Sequence, residues 1–428
     1  MSDVAPAEIA PVEAAPAEIA PSAIAPVEAE QRIKTLDVLR GLAILGILVV
    51  NAPFFAAPWQ TAVNPTLEPL AIHDANVWSW FVPHVFFEQK FITLFSLLFG
   101  VSVFLVGGER SDLERGKVLR RRLGWMFVFG LIHGAAIWFG DILLVYAISG
   151  FFMMFARSWR ARWLLLTGSI MYVLIYVLSF LSAGVLTMIS ANSLEEMRVQ
   201  MWAPAAQSVD AAIATYGGSF SESLKANYDT WTSFVPFEIF NTVPRTIAVM
   251  MIGLGLFKVG FLSGARSASV YWMVAALGAI ALAIVAYQAQ INFAAGFEFL
   301  HMQTRGGLIN PPLSILISLL YASVLILCVK TGALSAIINA LAPVGQMAFT
   351  NYIAQSVIMT AIFYGGRGLG LYGEVERETL IAIVVGVWAL QLIWSPLWLA
   401  RFKMGPLEWV WRRLSYGKPL AIGKLAAA

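Results

Sequence analysis

Residues 36–56 read LDVLRGLAILGILVVNAPFFA, a run in which Asp37 and Arg40 are the only charged residues. A helix needs about 20 predominantly apolar residues to cross the hydrocarbon core of a bilayer. This run therefore predicts a membrane-spanning helix. Further apolar runs follow it, and together they predict about ten spans: 36–56, 86–107, 123–140, 141–156, 163–189, 236–257, 268–291, 308–329, 343–364 and 379–400.

The composition of the whole chain agrees with this pattern. Of the 428 residues, 59% are hydrophobic and 12% are charged, and the mean hydropathy is +0.76. Soluble domains are about half apolar and about a quarter charged, so a soluble enzyme is excluded. The net charge of +3 is too small to indicate a nucleic-acid partner, and the single Cys328 excludes an intramolecular disulfide. We predict an all-α, polytopic bundle integral to the lipid bilayer.

Basic residues divide unequally between the two sides of the predicted spans. Of the 28 Lys and Arg residues, 21 fall on one side and 7 on the other. The positive-inside rule assigns the richer side to the cytoplasm. Both termini then lie in the cytoplasm, which requires an even number of spans, and ten satisfies this requirement.

The chain divides into three regions. Residues 1–31 carry a proline at every fifth position from Pro6 to Pro26. Prolines at this density prevent a helix, so we predict a disordered arm, with a docking arm for a partner as the alternative. Residues 32–418 form the transmembrane helical domain, and 419–428 form a flexible tail. Two segments outside the spans are long: 52–79 should be irregular because of its prolines, and 190–235 is either a lid or a solvated connection.

The first span carries a narrow polar stripe. Asp37 and Arg40 are i,i+3 neighbours on a helix and can pair. Asn51 is eleven residues beyond Arg40, which corresponds to about 20° of rotation and about 16 Å of rise. The stripe must face the interior of the bundle. It is either an ion pair that anchors the helix end, or a cationic contact for an anionic ligand that enters from the cytoplasm.

The second span begins with charged residues and continues with small ones. Glu88 and Lys90 are expected at the outer interface, where long side chains can extend toward water. Thr93, Ser96 and Gly100 share a face, which is typical of close helix packing in lipid.

Two later spans also contain polar groups. Glu238 and Arg245 lie two turns apart on one face of the sixth span, and Arg245 either binds an anion or reaches the lipid headgroups. Asn351 and Gln355 are i,i+4 neighbours near the middle of the ninth span. Their amides either bond neighbouring helices or line a polar cavity.

The third and fourth predicted spans contain His133, the only histidine expected in the middle of a span. A histidine exchanges protons near neutral pH, so a general base is one interpretation and a helix–helix hydrogen bond is the other. Asp141 follows eight residues later, which on a straight helix is about 12 Å and about 80° away. Asp141 can orient His133 only if the chain turns back near Gly140, as in a broken or re-entrant pair of helices.

Five motifs, in this order, resemble the YeiB-like bacterial membrane proteins, the domain of unknown function 418. The resemblance covers about 32–418. One position departs from the family pattern, because Gln346 stands where the family has Arg. The motifs are Asp37-Val38-Leu39-Arg40-Gly41 with Asn51, the segment 90–100, the segment 133–141 with Tyr146 and Gly150, the segment 346–352 with Gln355-Ser356, and Gly405-Pro406-Leu407-Glu408-Trp409-Val410-Trp411-Arg412.

The resemblance implies a location and an activity. It implies the bacterial cytoplasmic membrane and, through more distant relatives, an acyltransferase that uses acyl-coenzyme A as a co-substrate and a small-molecule or lipid-linked acceptor. His133 would be the catalytic base, and Asp141 would orient it or bind the acceptor. Arg40 would meet coenzyme A phosphates together with the basic loop 110–122. The remaining candidate residues for donor or substrate binding are Asp37, Asn51, Lys90, Tyr146, Arg245, Asn351 and Gln355.

Two other classes of function stay open. A transporter or exporter without covalent chemistry also uses broken spans and polar groups at mid-membrane. A structural or regulatory membrane subunit would use the repeat arm to recruit a partner. The sequence has no zinc-ligand spacing, no phosphate-binding glycine loop and no nucleophile elbow, so we expect no metal and no tightly bound cofactor.

Overall fold

The computed structural model describes residues 33–424, and most of them are helical. The repeat arm predicted for 1–31 and the end of the tail predicted for 419–428 lie outside the described residues. The α-helices of the described part are α1 (Lys34–Ala56), α2 (Trp59–Val63), α3 (Trp78–Val82), α4 (Lys90–Gly107), α5 (Leu113–Ile132), α6 (Leu143–Ala156), α7 (Ala161–Leu186), α8 (Ala191–Met201), α9 (Ala206–Gly217), α10 (Phe220–Phe237), α11 (Val243–Lys258), α12 (Ala268–Ala294), α13 (Phe299–His301), α14 (Asn310–Thr331), α15 (Ser335–Gln346), α16 (Ala348–Phe363), α17 (Arg377–Arg401) and α18 (Pro406–Tyr416).

Four turns of π-helix interrupt or extend these helices within residues 33–424. A π turn carries one extra residue per turn, and such turns are frequent at functional sites. They are π1 (Pro83–Phe87), π2 (His133–Ile137), π3 (Glu238–Thr242) and π4 (Met302–Gly306).

Seven helical segments of the described chain are long and apolar enough to cross a membrane. This confirms a helical, multi-pass membrane protein. The predicted spans 123–140, 141–156 and 343–364 fall short of this standard. Their helices are either rich in basic residues, as α5 is, or short, since α6 has 14 residues and α16 has 16. The seven segments are Lys34–Ala56, Trp78–Gly107, Ala161–Leu186, Phe220–Lys258, Ala268–Ala294, Asn310–Thr331 and Arg377–Arg401.

The segment predicted as a long connection at 190–235 is helical instead. It contains α8, α9 and α10, and α10 continues through π3 into α11 as one segment of 39 residues. The helix that contains the predicted sixth span therefore begins at Phe220, before residue 236. Pro236 does not end the helix because a π turn follows it directly and accommodates the interrupted hydrogen-bond ladder. Between Ala56 and Trp78 only the five residues of α2 are helical, as the prolines there predict.

Glycines allow α4 and α11 to cross with their backbones in contact. A Cβ atom on Gly100 would lie 2.1 Å from the carbonyl oxygen of Met250, and one on Gly253 would lie 2.1 Å from that of Leu97. No side chain fits at either position. The prediction that Gly100 lies on a close-packing face is confirmed, and the partner helix is α11.

We expect Gly253→Ala to destabilise the protein and Gly386→Ala to leave it unchanged or slightly more stable. The first methyl group overpacks the α4–α11 crossing, which costs about 1–3 kcal/mol. Gly386 lies on an exposed face of α17 with nothing within 4 Å of a Cβ, so its replacement only improves helix propensity, by up to about 1 kcal/mol. Thermal unfolding of the detergent-purified variants measures both effects, and equal midpoints would contradict the crossing.

Candidate functional site

The chain turns back on itself inside the bundle after α5. Helix α5 ends at Ile132, π2 begins at His133, residues 138–142 are not helical, and α6 begins at Leu143. With 14 residues, α6 is about 21 Å long, less than the roughly 30 Å of a bilayer core. Its first turn therefore lies within the protein. The sequence required such a turn for His133 to meet Asp141, and the helix breaks after Ile137, slightly before Gly140.

Gly130 lets α5 approach the start of α6. A Cβ atom at this position would lie 2.5 Å from the backbone nitrogen of Leu144 and 3.0 Å from Oδ2 of Asp141. Any larger residue would push α6 and its carboxylate away. The glycine thus fixes the distance between the two helices at the level of His133.

His133 lies between an acid and a hydroxyl group. Its Nδ1 is 2.8 Å from Oδ1 of Asp141, and its Nε2 is 2.9 Å from Oγ of Ser356 on α16. The side chains of His133 and Asp141 are each 1% exposed, and Ser356 is 1% exposed. The structure therefore brings together the two residues predicted as catalytic, and it adds a third.

The start of α6 holds the Asp141 carboxylate in place. Its oxygens accept hydrogen bonds from the backbone N–H groups of Leu143, at 3.1 Å, and Leu144, at 2.8 Å. When this carboxylate is the acceptor, Nδ1 of His133 carries the proton, because the partner of one ring nitrogen decides which nitrogen is protonated. Nε2 is then free to accept the hydroxyl proton of Ser356.

Sequence reasoning did not single out Ser356 as a functional residue. Ser356 lies 223 residues after His133, and no spacing rule connects the two. The only sequence feature that pointed to Ser356 was its position directly after Gln355 in the motif of the ninth span. Serines in membrane helices usually bond their own backbone or pack against neighbours, so the residue type alone was uninformative.

Aromatic side chains and α10 exclude water from the site. The ring of Tyr352 lies 5.2 Å from that of His133, and the ring of Trp138 lies 6.4 Å away at 75°. Phe55 of α1 stacks on Trp138 at 3.9 Å. Helix α10 covers π2, since Nδ2 of Asn227 donates to the carbonyl oxygen of Gly134 at 2.9 Å.

Helix α18 ties together the two helices that carry His133 and Ser356. The Glu408 carboxyl accepts hydrogen bonds from the backbone N–H groups of Phe349 and Thr350 in the first turn of α16. Burial raises the pKa of this carboxyl, and the hydrogen bonds from Thr350 act in the opposite direction. Trp411 Nε1 donates to the carbonyl oxygen of Arg122 in α5 at 2.8 Å, and the guanidinium of Arg122 lies 4.0 Å from the centre of the Trp411 ring. The C-terminal motif thus anchors α16 to α5.

The prediction that Lys90 lies at the outer interface was wrong. The side chain is 0% exposed, and its Nζ donates to the carbonyl oxygen of His84 at 2.8 Å and to Oδ1 of Asn310 at 2.5 Å. The cause is local: π1 and the left-handed backbone of Gln89 (φ 67°) redirect the chain just before α4 begins. Lys90 consequently enters the bundle at the first residue of α4.

Arg245 also bonds within the bundle rather than extending to the headgroups. Its Nε donates to the hydroxyl of Tyr176 at 2.8 Å, and its Nη2 donates to Oγ1 of Thr93 at 2.6 Å and to Oγ of Ser314 at 3.3 Å. Within residues 33–424, neither Lys90 nor Arg245 forms a salt bridge. Both cations bond α14, Lys90 through Asn310 and Arg245 through Ser314, and these two residues lie about one turn apart. The hydrogen-bond partners of both cations are uncharged.

Asp37, Arg40 and Tyr146 bond residues other than His133. The predicted pair of Asp37 and Arg40 is confirmed at 3.0 Å, and Arg40 Nη2 donates to Oγ of Ser102 at 3.0 Å. Asn51 is half-buried near the opposite end of α1. The Tyr146 hydroxyl is 2.8 Å from Oγ of Ser96 on α4.

The two amides of the ninth span bond neighbouring helices. Asn351 Nδ2 donates to Oγ of Ser395 on α17 at 3.1 Å, and Gln355 Nε2 donates to Oε1 of Gln391 at 2.9 Å and to the carbonyl oxygen of Ile44 at 3.2 Å. These contacts favour interhelical bonding over the lining of a polar cavity. They fix α16, and therefore Ser356, against α1 and α17.

The fold and the site define a multi-pass helical membrane protein with a buried His–Asp–Ser arrangement. The chain is 31% identical over 400 residues to the uncharacterised protein YeiB of Escherichia coli strain K12. The aligned region covers 90% of this chain and 96% of that protein. It is 29% identical over 411 residues to the uncharacterised protein YxaH of Bacillus subtilis strain 168, with 90% and 94% covered.

The matches identify the family. The family model described as "Protein of unknown function (DUF418)" matches residues 256–418. No solved structure matches the chain significantly. The chain belongs to the YeiB-like DUF418 family, as its five motifs indicated.

We expect Asp141→Ala to destabilise the protein more than Asp112→Ala. Asp112 also bonds a backbone N–H in the first turn of its helix, that of Arg115 at 3.0 Å, but it contacts no histidine. Loss of such a cap costs about 0.5–2 kcal/mol. Asp141→Ala additionally leaves the buried Nδ1 of His133 without a partner, which costs a further 1–3 kcal/mol or so. Unfolding midpoints in detergent compare the two variants, and equal losses would show that the His133 contact contributes nothing.

Proposed function

We propose that this protein is a membrane-bound acyltransferase that moves an acyl group from a thioester donor to a hydroxyl or amine acceptor, with His133 as the base. The observation that carries the proposal is the environment of His133. Its Nδ1 is held by Asp141, its Nε2 faces a hydroxyl group, and the ring is 1% exposed. A general base needs a partner within hydrogen-bond reach, and the contacts of both ring nitrogens support this role.

Each residue of the site has a chemical role in this proposal. His133 takes a proton at Nε2, and the Asp141 carboxylate stabilises the imidazolium that forms, as in other His–Asp pairs. The aromatic shell keeps water away from the thioester, which would otherwise hydrolyse. Acyl-coenzyme A is the donor that the family resemblance suggests, and Arg40 with the basic segment 110–122 would bind its phosphates.

Lys90 and Arg245 are suited to hold an anionic group of the donor or acceptor. The hydrogen-bond partners of both cations are uncharged, and charge-assisted hydrogen bonds to an anion are about twice as strong as neutral ones. We assign Tyr146, Asn351 and Gln355 an indirect role, since these uncharged side chains bond neighbouring helices. Asp37 orients Arg40, and Asn51 would contact substrate from α1.

We further propose about ten membrane crossings in the bacterial cytoplasmic membrane, with both termini in the cytoplasm. The three crossings beyond the seven long apolar segments would be α5, α6 and the consecutive helices α15 and α16. Basic side chains bond between segments that we assign to the cytoplasmic side, which supports this orientation. Lys258 Nζ donates to the carbonyl oxygen of Arg157 at 2.9 Å, and Lys330 Nζ donates to that of Gly264 at 2.8 Å.

Cysteine labelling in intact cells tests this orientation. In a Cys328→Ser background, Ser221→Cys lies on the exposed start of α10 and Lys418→Cys lies after α18. We expect a membrane-impermeant maleimide to label the first variant in intact cells and the second only after the membrane is broken. Labelling of Lys418→Cys in intact cells would reverse the proposed orientation.

A transfer assay tests the proposed activity. Membranes containing the protein are incubated with radiolabelled acetyl-coenzyme A, and label in the lipid and small-molecule fractions is compared with membranes that lack the protein. We expect His133→Gln to reduce protein-dependent transfer by at least about a hundredfold, since general bases contribute roughly 10²–10⁴. His73→Gln is the control, because that side chain is 68% exposed on the connection before α3.

Two outcomes would contradict the proposal. Equal transfer by wild type and His133→Gln would remove His133 from the chemistry. Protein-dependent movement of an unmodified compound across the membrane, with no acyl transfer, would favour the transporter alternative.

A further inference from the structure

We infer that Ser356 is a nucleophile, and that the acyl group is carried on its Oγ between the donor and the acceptor. The inference rests on the proposed acyltransferase function and deepens it from direct transfer to a two-step, covalent mechanism. Its starting point is the 2.9 Å distance between Oγ of Ser356 and Nε2 of His133.

The Ser356 hydroxyl bonds differently from five other helical serines of the described residues. A serine inside a helix normally donates to the carbonyl oxygen four residues earlier. For Ser356 that distance, to Tyr352, is 3.4 Å, at the outer limit of a hydrogen bond. It is 2.6–3.0 Å in other helical serines of the described chain, namely Ser96, Ser102, Ser179, Ser318 and Ser415. The Ser356 hydroxyl is thus directed at His133 and away from its own helix.

The order of contacts is that of an activated nucleophile. A hydroxyl is a weak nucleophile unless an adjacent base removes its proton, and the base works best when a third group orients it. Here Ser356 is the hydroxyl, His133 is the base and Asp141 is the orienting group. This constellation is recognised by geometry rather than by position in the sequence, and it occurs on unrelated folds.

The reaction balances in two steps. In the first, Oγ of Ser356 attacks the acyl carbon of the thioester, its proton moves to Nε2 of His133, the C–S bond breaks, and the thiolate leaves with that proton as a thiol. In the second, the acceptor hydroxyl or amine gives its proton to Nε2 and attacks the acyl-serine. The C–Oγ bond then breaks, and Oγ of Ser356 recovers the proton.

One ring of the aromatic shell around His133, that of Trp138, carries an unpartnered donor. Nε1 of Trp138 is buried and has no hydrogen-bond partner among residues 33–424, although its ring packs against His133. A buried N–H without a partner costs about 1–3 kcal/mol, so its presence calls for an acceptor that is supplied during function. The carbonyl oxygen of an acyl group bound at Ser356 is such an acceptor, and it would gain negative charge in the tetrahedral transition state.

Isotope exchange tests the covalent step without knowledge of the acceptor. The full-length protein in proteoliposomes is given acetyl-coenzyme A and radiolabelled free coenzyme A, with no acceptor added. An acyl-serine allows label to enter acetyl-coenzyme A, whereas direct transfer does not. We expect exchange by wild type and by Ser149→Ala, and at least a hundredfold less by Ser356→Ala. Ser149 is the matched control, because it is buried in α6 at 0% exposure and its Oγ donates to the carbonyl oxygen of Val243 at 3.5 Å instead of bonding a histidine.

A second variant traps the intermediate. Ser356→Cys should accumulate a thioester that is released by hydroxylamine and that mass spectrometry locates on the peptide containing residue 356. Absence of exchange in wild type together with absence of an adduct on Ser356→Cys would overturn the inference, as would an adduct on any other residue.

The two proposals fail in different ways. If Ser356→Ala retains full protein-dependent acyl transfer and His133→Gln does not, the nucleophile is wrong and the acyltransferase stands. If no acyl transfer depends on the protein at all, the proposed function itself is wrong.

Discussion

The carboxylate of Asp141 joins His133 in π2 to the start of α6. One oxygen meets Nδ1 of His133 at the end of α5, and the two oxygens bond the first N–H groups of α6. The non-helical residues 138–142 lie between these helices, inside the bundle. A helix break at this depth is tolerated only when its polar backbone is satisfied by protein or by water in a cavity. Asp141 accepts from two N–H groups at the start of α6, the Tyr352 hydroxyl accepts from that of Ile142, and the same Asp141 carboxylate contacts His133.

The rest of the bundle supports this turn from three sides. Gly130 keeps α5 close enough for the contacts to form, and Asn227 of α10 bonds the carbonyl oxygen of Gly134 in π2. At the far end of the same helices, Glu408 and Trp411 of α18 join α16 to α5. The C-terminal motif therefore acts on the site from a distance, by fixing the helix that carries Ser356 relative to the helix that carries His133.

The sequence predicted the class of fold, most of the spans and the pair of Asp37 and Arg40, because hydropathy and helical periodicity are local properties. It also identified His133 and Asp141, and the condition under which they meet. It did not predict the burial of Lys90, which depends on π1 and on one left-handed residue, nor the helices in 190–235, whose polar surface suggested a loop. Ser356 was missed because a contact across 223 residues depends on how α16 packs, which no local pattern encodes.

We expect Asp141 to fix the tautomer of His133, with the proton on Nδ1 and a free electron pair on Nε2. Nitrogen-15 solid-state NMR of the histidine-labelled protein in lipid measures this tautomer directly, and His133→Gln assigns the resonance among the four histidines of the chain. The neutral ring should show a protonated Nδ1 and an unprotonated Nε2, and Asp141→Asn should redistribute the proton. A neutral His133 that carries its proton on Nε2 in the wild-type protein would show that Asp141 does not set the tautomer.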